Sequence, residues 1–137
     1  MRVLTFVTAA LAMATMPALA ADGFVQGVWL KTEEQCALAK KSGIDAVFDA
    51  GDLALTAQGI EGLEFNCEFI DIRKASRAPG WLVTAFCQEP GYAFPDVLSV
   101  TELNETQLDL VSVKTVLPGE VPGNSGTWLK CDGVAVP

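Results

Sequence analysis

The sequence contains no histidine, and this absence excludes several kinds of catalytic and metal-binding site. Ser-His and Cys-His catalysis need an imidazole as the general base, and histidine metal sites need it as a ligand. A G-x-x-x-x-G-K-S/T phosphate loop and a G-x-S-x-G nucleophile motif are also absent. We therefore expect no catalytic residue, no cofactor and no metal site, which leaves carboxylate chemistry and surface recognition as the open function classes.

The spacing C-x-x-C is absent too, so the four cysteines are expected to form two disulfides and not a thiolate zinc site. Three pairings are possible. Cys67 and Cys87 each lie ten residues from Arg77, in the middle of a segment between two β-rich runs. Symmetric pairing of these runs would place the two cysteines opposite each other, with Cβ atoms about 4.5–5.5 Å apart, close to disulfide geometry. This favours Cys67–Cys87 and leaves Cys36–Cys131.

A long apolar run is confined to the beginning of the chain. A short positive start precedes the apolar residues 3–16, and A-L-A at 18–20 has the form of a cleavage site. We predict a signal peptide at 1–20 and a single β domain at 21–137, in a periplasmic or secreted protein. The apolar run is too short for a comfortable membrane span, and no cysteine at the cleavage site could carry a lipid, so no stable membrane anchor is expected.

Positive charge is scarce in this chain. It has 9 basic and 17 acidic residues, which gives a net charge of −8. Cleavage after residue 20 would remove Arg2, and the remaining 8 basic and 17 acidic residues would give −9. So acidic a chain is not expected to bind nucleic acid or anionic membranes, and its field would attract basic partners or cations. Solubility of an exported protein is the plainer explanation of the charge.

Two β-rich runs within residues 63–89 predict the central hairpin of the fold. Apolar and polar residues alternate in both runs, so each predicted strand has one apolar face. Because the cysteines belong to these apolar faces, the predicted disulfide between the strands points into the core. The inward faces consist of Leu63, Phe65, Cys67 and Phe69 on the first strand and Trp81, Val83, Ala85 and Cys87 on the second.

The other predicted elements are shorter. Thr32 and Gln35 have the spacing of a capping box, which predicts a helix at 33–42. Residues 44–52 are interpreted as irregular or as one short strand, and two prolines and a glycine within 89–95 predict a loop. Strands are predicted at 24–31, 52–56, 97–103, 107–113 and 126–131, with a long Pro/Gly loop at 116–125.

The pentapeptides G-V-W-L-K at 27–31 and G-T-W-L-K at 126–130 resemble each other. Two strands of like design suit a sheet whose first and last strands are neighbours, and a Cys36–Cys131 bridge would reinforce that closure. Closing a sheet on itself removes its exposed edges. We therefore predict a mainly β fold: a small antiparallel barrel or curled sheet of six to eight strands, with one short N-terminal helix and two disulfides.

Carboxylates on the central hairpin are the first candidate binding group. Glu64 and Glu68 are predicted on the outward face of one strand, where they could hold a cation or form an acid–base pair; a solvated strand face is the structural alternative. Asp45, Asp49 and Asp52 lack the EF-hand ligand pattern and are interpreted as a surface loop, with calcium binding as the alternative. The complete first group is Glu61, Glu64, Glu68 and Asp71.

The tip of the predicted hairpin is basic, although the chain as a whole is acidic. Arg73, Lys74 and Arg77 lie there, and Trp81 follows closely. Such a tip could bind an anionic partner, with Arg77 or Trp81 as the anchor. The structural alternatives are an ordinary polar turn and a core position for Trp81, which the alternation of the second strand favours.

Two aromatic residues fall in the loop predicted at 89–95. Tyr92 and Phe94 could anchor a partner if they are exposed, because loops carry many binding residues. Packing over the mouth of the barrel is the structural alternative. The possible binding residues are therefore these two aromatics, the basic tip and the two glutamates.

With these features together, the chain resembles small exported proteins of unknown function from Gram-negative bacteria. The likeness lies in the signal peptide, G-x-W at 27–29, G-L-E-F-N-C at 62–67, the W…C strand at 81–87 and W-L-K-C at 128–131. Periplasmic lysozyme and protease inhibitors are similar in general design, as small disulfide-bonded β-barrels, although no inhibitor motif matches. The resemblance implies an exported β domain and no particular activity.

Three functions stay open. The first is a non-enzymatic exported binding or structural module for an unknown protein or small-molecule partner. The alternative is an inhibitor of a basic secreted hydrolase, such as a lysozyme or a protease, because opposite charge accelerates encounter. The second alternative is a carboxylate-based cation binder that uses Glu64 and Glu68.

Overall fold

The computed structural model describes residues 23–114 and 124–137, which form a closed antiparallel barrel with two short helices and two disulfides. The predicted signal peptide and most of the loop predicted at 116–125 lie outside the described residues. The predicted mainly β barrel is confirmed. Its elements are β1 (Trp29–Leu30), α1 (Glu33–Ser42), α2 (Ile44–Asp49), β2 (Ala54–Leu55), β3 (Gly59–Glu61), β4 (Asn66–Lys74), β5 (Gly80–Glu89), β6 (Tyr92–Asn104), β7 (Gln107–Ser112) and β8 (Gly126–Lys130).

The barrel closes between β1 and β8. Trp29 lies opposite Lys130, so the two similar pentapeptides form neighbouring strands, as predicted. Beside this closure, the predicted Cys36–Cys131 disulfide joins α1 to the residue after β8, with the two Cα atoms 5.4 Å apart. The sheet is therefore closed both by backbone pairing and by a covalent bond.

β1 contains only two residues, so the strand predicted at 24–31 is mostly wrong. Phe24 and Val25 are buried, but they belong to a segment outside the strands. The Phe24 ring lies edge-on to the rings of Phe69 and Trp81, at centroid distances of 5.8 and 5.6 Å. The apolar residues of this segment contact the core without forming a strand, so their pattern did not distinguish a strand from an irregular segment.

The first helix begins with the predicted capping box. Thr32 Oγ1 accepts the backbone N–H of Gln35 at 3.2 Å, and Gln35 Oε1 accepts the N–H of Thr32 at 3.1 Å. Gly43 ends the helix with a φ of +88°, a conformation that glycine adopts without a steric penalty. Its N–H donates to the carbonyl of Ala39.

A second helix follows directly, so the interpretation of residues 44–52 as irregular or as a strand is wrong. Ile44, Val47 and Phe48 have the i, i+3, i+4 spacing that gives a helix one apolar face. This face packs with α1 against the disulfide at Cys36. A strand at these positions would divide the same residues between two faces.

The central hairpin has the predicted register at its disulfide. Cys67 lies directly opposite Cys87, and their Cα atoms are 3.9 Å apart. On β5 the predicted inward residues are all buried, which confirms that the disulfide lies in the core. Leu63 is an exception to the predicted inward face of the first strand. It is 66% exposed, because β4 begins at Asn66 and the preceding residues turn from β3 into β4.

A β-bulge at Ile70 interrupts the pairing of β4 with β5. Phe69 is paired with Ala85, whereas Asp71 is paired with Thr84, so β4 contains one extra residue between them. The extra residue places both Phe69 and Ile72 against the core, and Ile70 points outward. The symmetric register inferred from the cysteines therefore holds only as far as the bulge.

The prediction of a loop at 89–95 is wrong, because the turn between β5 and β6 consists of Pro90 and Gly91 alone. Pro95 lies within β6, opposite Phe86. A proline is tolerated there because the pairing of β6 with β7 begins only at Leu98, so no ladder bond is lost. The second hairpin predicted from 97 to 113 is confirmed by β6 and β7.

Two apolar clusters form the core. The larger cluster fills the barrel, and the smaller cluster lies between the helices, β1 and β2 around the Cys36–Cys131 disulfide. Both disulfides therefore lie in apolar surroundings and staple packed regions. The most deeply buried large side chains of the barrel are Trp128, Phe24, Leu55, Ile60, Leu98 and Leu110.

Candidate functional site

A mismatch in strand length leaves one edge of β4 partly unpaired. β3 pairs with β4 over three residues, from Glu61–Asn66 to Gly59–Glu68, and the Phe69 N–H then donates to the Gln58 carbonyl at 3.0 Å. β3 goes no further because residues 56–58 turn the chain into β2. Within the described residues, no strand pairs with this edge of β4 beyond Phe69, although β4 continues to Lys74.

An open cleft of about 1230 Å³ lies beside this edge. Its volume exceeds the range of roughly 300–1,000 Å³ that is typical of small-ligand pockets, so the cleft could hold a peptide segment. The N-terminal segment, α2, β3 and β4 all contribute to it. Its apolar lining consists of Phe24, Phe48, Phe69, Ile70 and Ile72, and its polar lining includes Gln26, Gln58, Asn66, Glu61, Glu68 and Asp71.

The described lining of the cleft is negatively charged, because it contains three carboxylates and no lysine or arginine. Arg73 Nε donates to Asp71 Oδ2 at 2.8 Å, which compensates one of these carboxylates from outside the cleft. Among the described residues, Glu61 and Glu68 have no ion-pair partner. Two uncompensated carboxylates beside apolar side chains suit a ligand that carries both positive charge and apolar surface.

The structure separates the two glutamates predicted on one strand face. Glu68 lies on β4 and lines the cleft, but Glu64 lies in the bend before β4 and does not line it. Their assignment to a common strand face is wrong, because the first strand of the hairpin begins later than predicted. In the described part of the chain, no three acidic or cysteine side chains gather into a potential metal site, so Asp45, Asp49 and Asp52 do not form one either.

The basic tip and the aromatic pair lie at opposite ends of the β4–β5–β6 sheet. Lys74 and Trp81 are the last pair of the hairpin before its loop, whereas Tyr92 follows the turn at the other end of β5. Arg77 is exposed in the loop. The Nζ atom of Lys74 lies 6.0 Å from the centre of the buried Trp81 ring, so Trp81 is a core residue that could not anchor a partner. The predicted binding residues therefore do not form one site.

The two aromatic residues near the β5–β6 turn have different environments. Phe94 is buried, and Tyr92 is exposed and stacks on it at a centroid distance of 5.3 Å. Lys114 Nζ lies 3.6 Å from the centre of the Phe94 ring and 3.7 Å from Glu89 Oε1. Phe94 is consequently a packing residue, in agreement with the structural alternative, and Tyr92 alone is accessible to a partner.

An apolar surface on the outside of the barrel adjoins the cleft. Phe86 on β5 is exposed and pairs with Glu68 of the cleft on one side and with Pro95 on the other. Exposed apolar residues continue across β7. Polar residues interrupt this surface: Thr84 lies between Leu82 and Phe86 on β5, and Ser99 on β6 lies between Leu82 and Val111. Besides Phe86, the exposed apolar side chains of this outer surface are Leu82, Val111 and Val113.

A buried carboxylate inside the barrel was missed by the sequence analysis. Asp96 is only 2% exposed; its Oδ2 accepts hydrogen bonds from Ser112 Oγ at 2.6 Å and from Asn124 Nδ2 at 3.1 Å, and its Oδ1 accepts the Val97 N–H at 2.8 Å. Three donors satisfy the carboxylate where it is shielded from water. The network joins β6, β7 and the residues before β8, so its evident role is structural. Asp96 occupies an inward position in the alternation of β6, and that signal could have identified it.

Lys31 is a partly buried lysine that follows β1. Its Nζ donates to the Ser125 carbonyl and lies 4.5 Å from the centre of the Trp128 ring. Partial burial lowers the pKa of Lys31 below its ordinary value of 10.5, and the negative charge of Asp109 opposes this shift. Lys31 does not line the cleft, and it fastens β1 to the residues before β8.

The comparisons with known proteins returned no match: no family model, curated protein or solved structure is similar to this chain. The resemblance to small exported proteins therefore stays a prediction. The two disulfides suggest an oxidising, exported location. No helix within residues 23–114 and 124–137 is long and apolar enough to cross a membrane.

Proposed function

We propose that the protein is an exported, non-enzymatic module that binds a partner through the cleft beside β4 and the adjoining outer surface of the barrel. The observation that carries this proposal is the cleft itself, where the exposed Ile70 and the carboxylates of Glu61 and Glu68 lie beside an edge of β4 that no other described strand pairs with. The apolar surface provides contact area, and the carboxylates provide selectivity for positive charge. The partner is a protein or a small molecule, and not nucleic acid or a membrane.

Export is part of the same proposal. Residues 1–20 would act as a signal peptide and direct the chain to the periplasm or the medium. The disulfides support this location, because they form and persist in oxidising compartments. A protein stapled in two places also keeps its binding surface rigid, which lowers the entropy lost on binding.

Site-specific photo-crosslinking can test the binding function. Benzoylphenylalanine would be introduced at Ile70 in the cleft and, as a matched control, at Leu103 on the β6–β7 hairpin; these side chains are 60% and 54% exposed. We expect a partner from the exported fraction to crosslink at position 70 and not at position 103. That partner would then be purified and its affinity measured.

The affinity measurement decides the outcome. Ile70→Lys should weaken binding of the purified partner by at least about tenfold, because it adds a positive charge to the apolar and acidic cleft, whereas Leu103→Lys should change the affinity less than about twofold. Equal effects of the two substitutions, or no position-dependent crosslink, would mean that the cleft is not the binding site.

Inhibition of a basic secreted hydrolase is the second candidate, and the uncompensated negative charge of the cleft favours it. The net charge of −8 would accelerate encounter with a positively charged enzyme. Lysozymes and secreted proteases would be assayed with the oxidised protein at micromolar concentration. Loss of hydrolase activity that Ile70→Lys restores would support this candidate, and full activity of all enzymes in the panel would exclude them as targets.

A further inference from the structure

We propose, on the basis of the binding function above, that the ligand of the cleft is an extended, positively charged segment of a partner protein, which pairs with the free edge of β4 as an additional strand. Addition of a strand to a sheet edge gives affinity through main-chain hydrogen bonds, and pockets for alternate side chains give specificity. The cleft offers both features in one place.

The backbone of β4 presents hydrogen-bonding groups to the cleft. The Ala75 N–H donates to the Gly80 carbonyl at 2.9 Å, so Ala75 faces the β5 side of the hairpin. Because successive residues of a strand direct their peptide groups to alternate sides, Arg73 faces β5 as well, and Ile72 and Lys74 face the opposite edge. In the residues that the structure describes, neither Ile72 nor Lys74 has a backbone hydrogen bond on that edge. These groups can bond a strand laid along β4.

The surroundings of the edge have the dimensions and chemistry for such a strand. An added strand lies about 4.7–4.9 Å from its neighbour, and the cleft of about 1230 Å³ occupies this side of β4. Side chains on one face of the added strand would meet Phe24, Phe69 and Ile72.

Charge indicates which strand would bind. Glu61 and Glu68 have no ion-pair partner in the described part of the chain, and no lysine or arginine lines the cleft. A segment with lysine or arginine among its residues would therefore be preferred over a neutral or acidic one. The attraction should decrease with ionic strength, because these carboxylates are accessible to solvent.

Pairing with a second copy of this chain is disfavoured by the same charges. Two β4 edges placed side by side would bring the acidic clefts of two molecules together, and each chain carries a net charge of −8. The bulge at Ile70 is also a feature that limits edge-to-edge pairing of identical sheets. The edge is therefore suited to a basic partner segment.

A displayed library of random peptides provides the probe. Peptides of about ten residues, long enough for a strand of ordinary length, would be selected on the immobilised oxidised protein at low salt and then synthesised. We expect selected peptides to contain lysine or arginine with β-branched residues and to bind more weakly as salt is added. Failure to select any peptide, or selection of acidic or helix-forming peptides, would overturn the inference.

A pair of variants tests whether the ligand bonds to the main chain of β4. Ile72→Pro removes the N–H that faces the cleft, and Ile72→Ala removes the side chain while it keeps that N–H. We expect Ile72→Pro to bind the peptide at least about tenfold more weakly than Ile72→Ala does. Thermal unfolding of both variants confirms that they are folded. Equal affinities of the two variants would exclude pairing at this edge.

N-methylation of the peptide gives the same information without changing the protein. Methylation of one alternate set of residues should weaken binding at least about tenfold, and methylation of the other set less than about twofold. If both sets have equal effects while Ile70→Lys still blocks binding, strand addition is wrong and the cleft remains the binding site. If Ile70→Lys has no effect either, the proposed function itself fails. A dimer that Ile72→Pro abolishes would show that a second copy occupies the edge.

Discussion

The Phe69 amide donates to the Gln58 carbonyl at 3.0 Å, and this bond is the last link between β4 and the β3 side of the barrel within the described residues. It divides β4 into two parts. From Asn66 to Phe69 the strand has neighbours on both sides, and from Ile70 to Lys74 it has β5 alone.

Amide hydrogen exchange should show this division. The amides of Ile72 and Lys74 face the unpaired edge, so we expect them to exchange with solvent much faster than the amides of Phe69 and Val83. The Phe69 amide bonds to the Gln58 carbonyl, and Val83 belongs to the ladder between β5 and β6. Exchange would be followed by NMR at neutral pH in the oxidised protein. Comparable protection of Ile72 and Phe69 would show that another segment covers the edge in the free protein.

Asp96→Asn should destabilise the barrel. The substitution replaces one carboxylate oxygen with an NH₂ group, which then faces a hydrogen-bond donor of Asn124 or Val97. An unsatisfied buried donor costs about 1–3 kcal/mol of unfolding free energy. The exposed Asp71→Asn is the matched control and should cost no more than about 1 kcal/mol, as expected for a surface ion pair with Arg73. Urea unfolding at neutral pH measures both variants, and an equal loss of stability in the two would contradict a structural role for the buried network.

Removal of the disulfides should destabilise the protein to different extents. The Cys36–Cys131 bridge closes a separation of 95 residues and the Cys67–Cys87 bridge one of 20. On the chain-entropy model, replacement of both cysteines by alanine should cost roughly 4–5 kcal/mol for the first bridge and roughly 3 kcal/mol for the second. Denaturant unfolding of the two double variants tests this order. Peptide mapping without reduction checks the pairing, and a Cys36–Cys67 or Cys36–Cys87 linkage would be incompatible with the fold.

Lys31 should make stability depend on pH in the alkaline range. Because burial lowers its pKa in the folded protein, the unfolded chain holds the proton up to a higher pH, near 10.5. Between the two values the unfolded state binds more protons, so the contribution of Lys31 to the unfolding free energy rises with pH. The wild type should therefore gain stability relative to Lys31→Met from neutral pH to about 10. If this stability difference instead decreased as the pH rises, the pKa of Lys31 would be raised and not lowered in the folded protein.

The cysteine pairing could be predicted from the sequence because it depends on local symmetry. Cys67 and Cys87 belong to strands joined by one short loop, so their distances from the loop are enough to place them opposite each other. The second pair then followed by elimination. The short helix α2 could not be assigned in this way, because a segment of six residues is too short for its i, i+3, i+4 apolar spacing to exclude an irregular segment.

The cleft depends on relationships between distant parts of the chain and was not predictable. Glu68 was identified as a possible binding residue, but its neighbours in the cleft include Phe24 and Phe48, which lie in a different part of the sequence. The unpaired edge arises because the turn at 56–58 ends β3 early. The sequence pattern of β4 carries no information about the length of the strand beside it. Pro95 was misread for a similar reason, since its tolerance in β6 depends on where β7 begins to pair.

The Cys36–Cys131 disulfide also determines how the molecule would respond to mechanical force. Tension applied at Gly23 and Pro137 would pass through the covalent bond between α1 and the end of β8, and the chain between the two cysteines would bear little load. The load would fall on the segments outside residues 36 and 131, one of which contains β1 and the cleft residues Phe24 and Gln26, while β2 to β8 would be protected. Reduction of this one bond would extend the load to the chain between the two cysteines, so redox conditions would decide whether pulling unfolds β2 to β8.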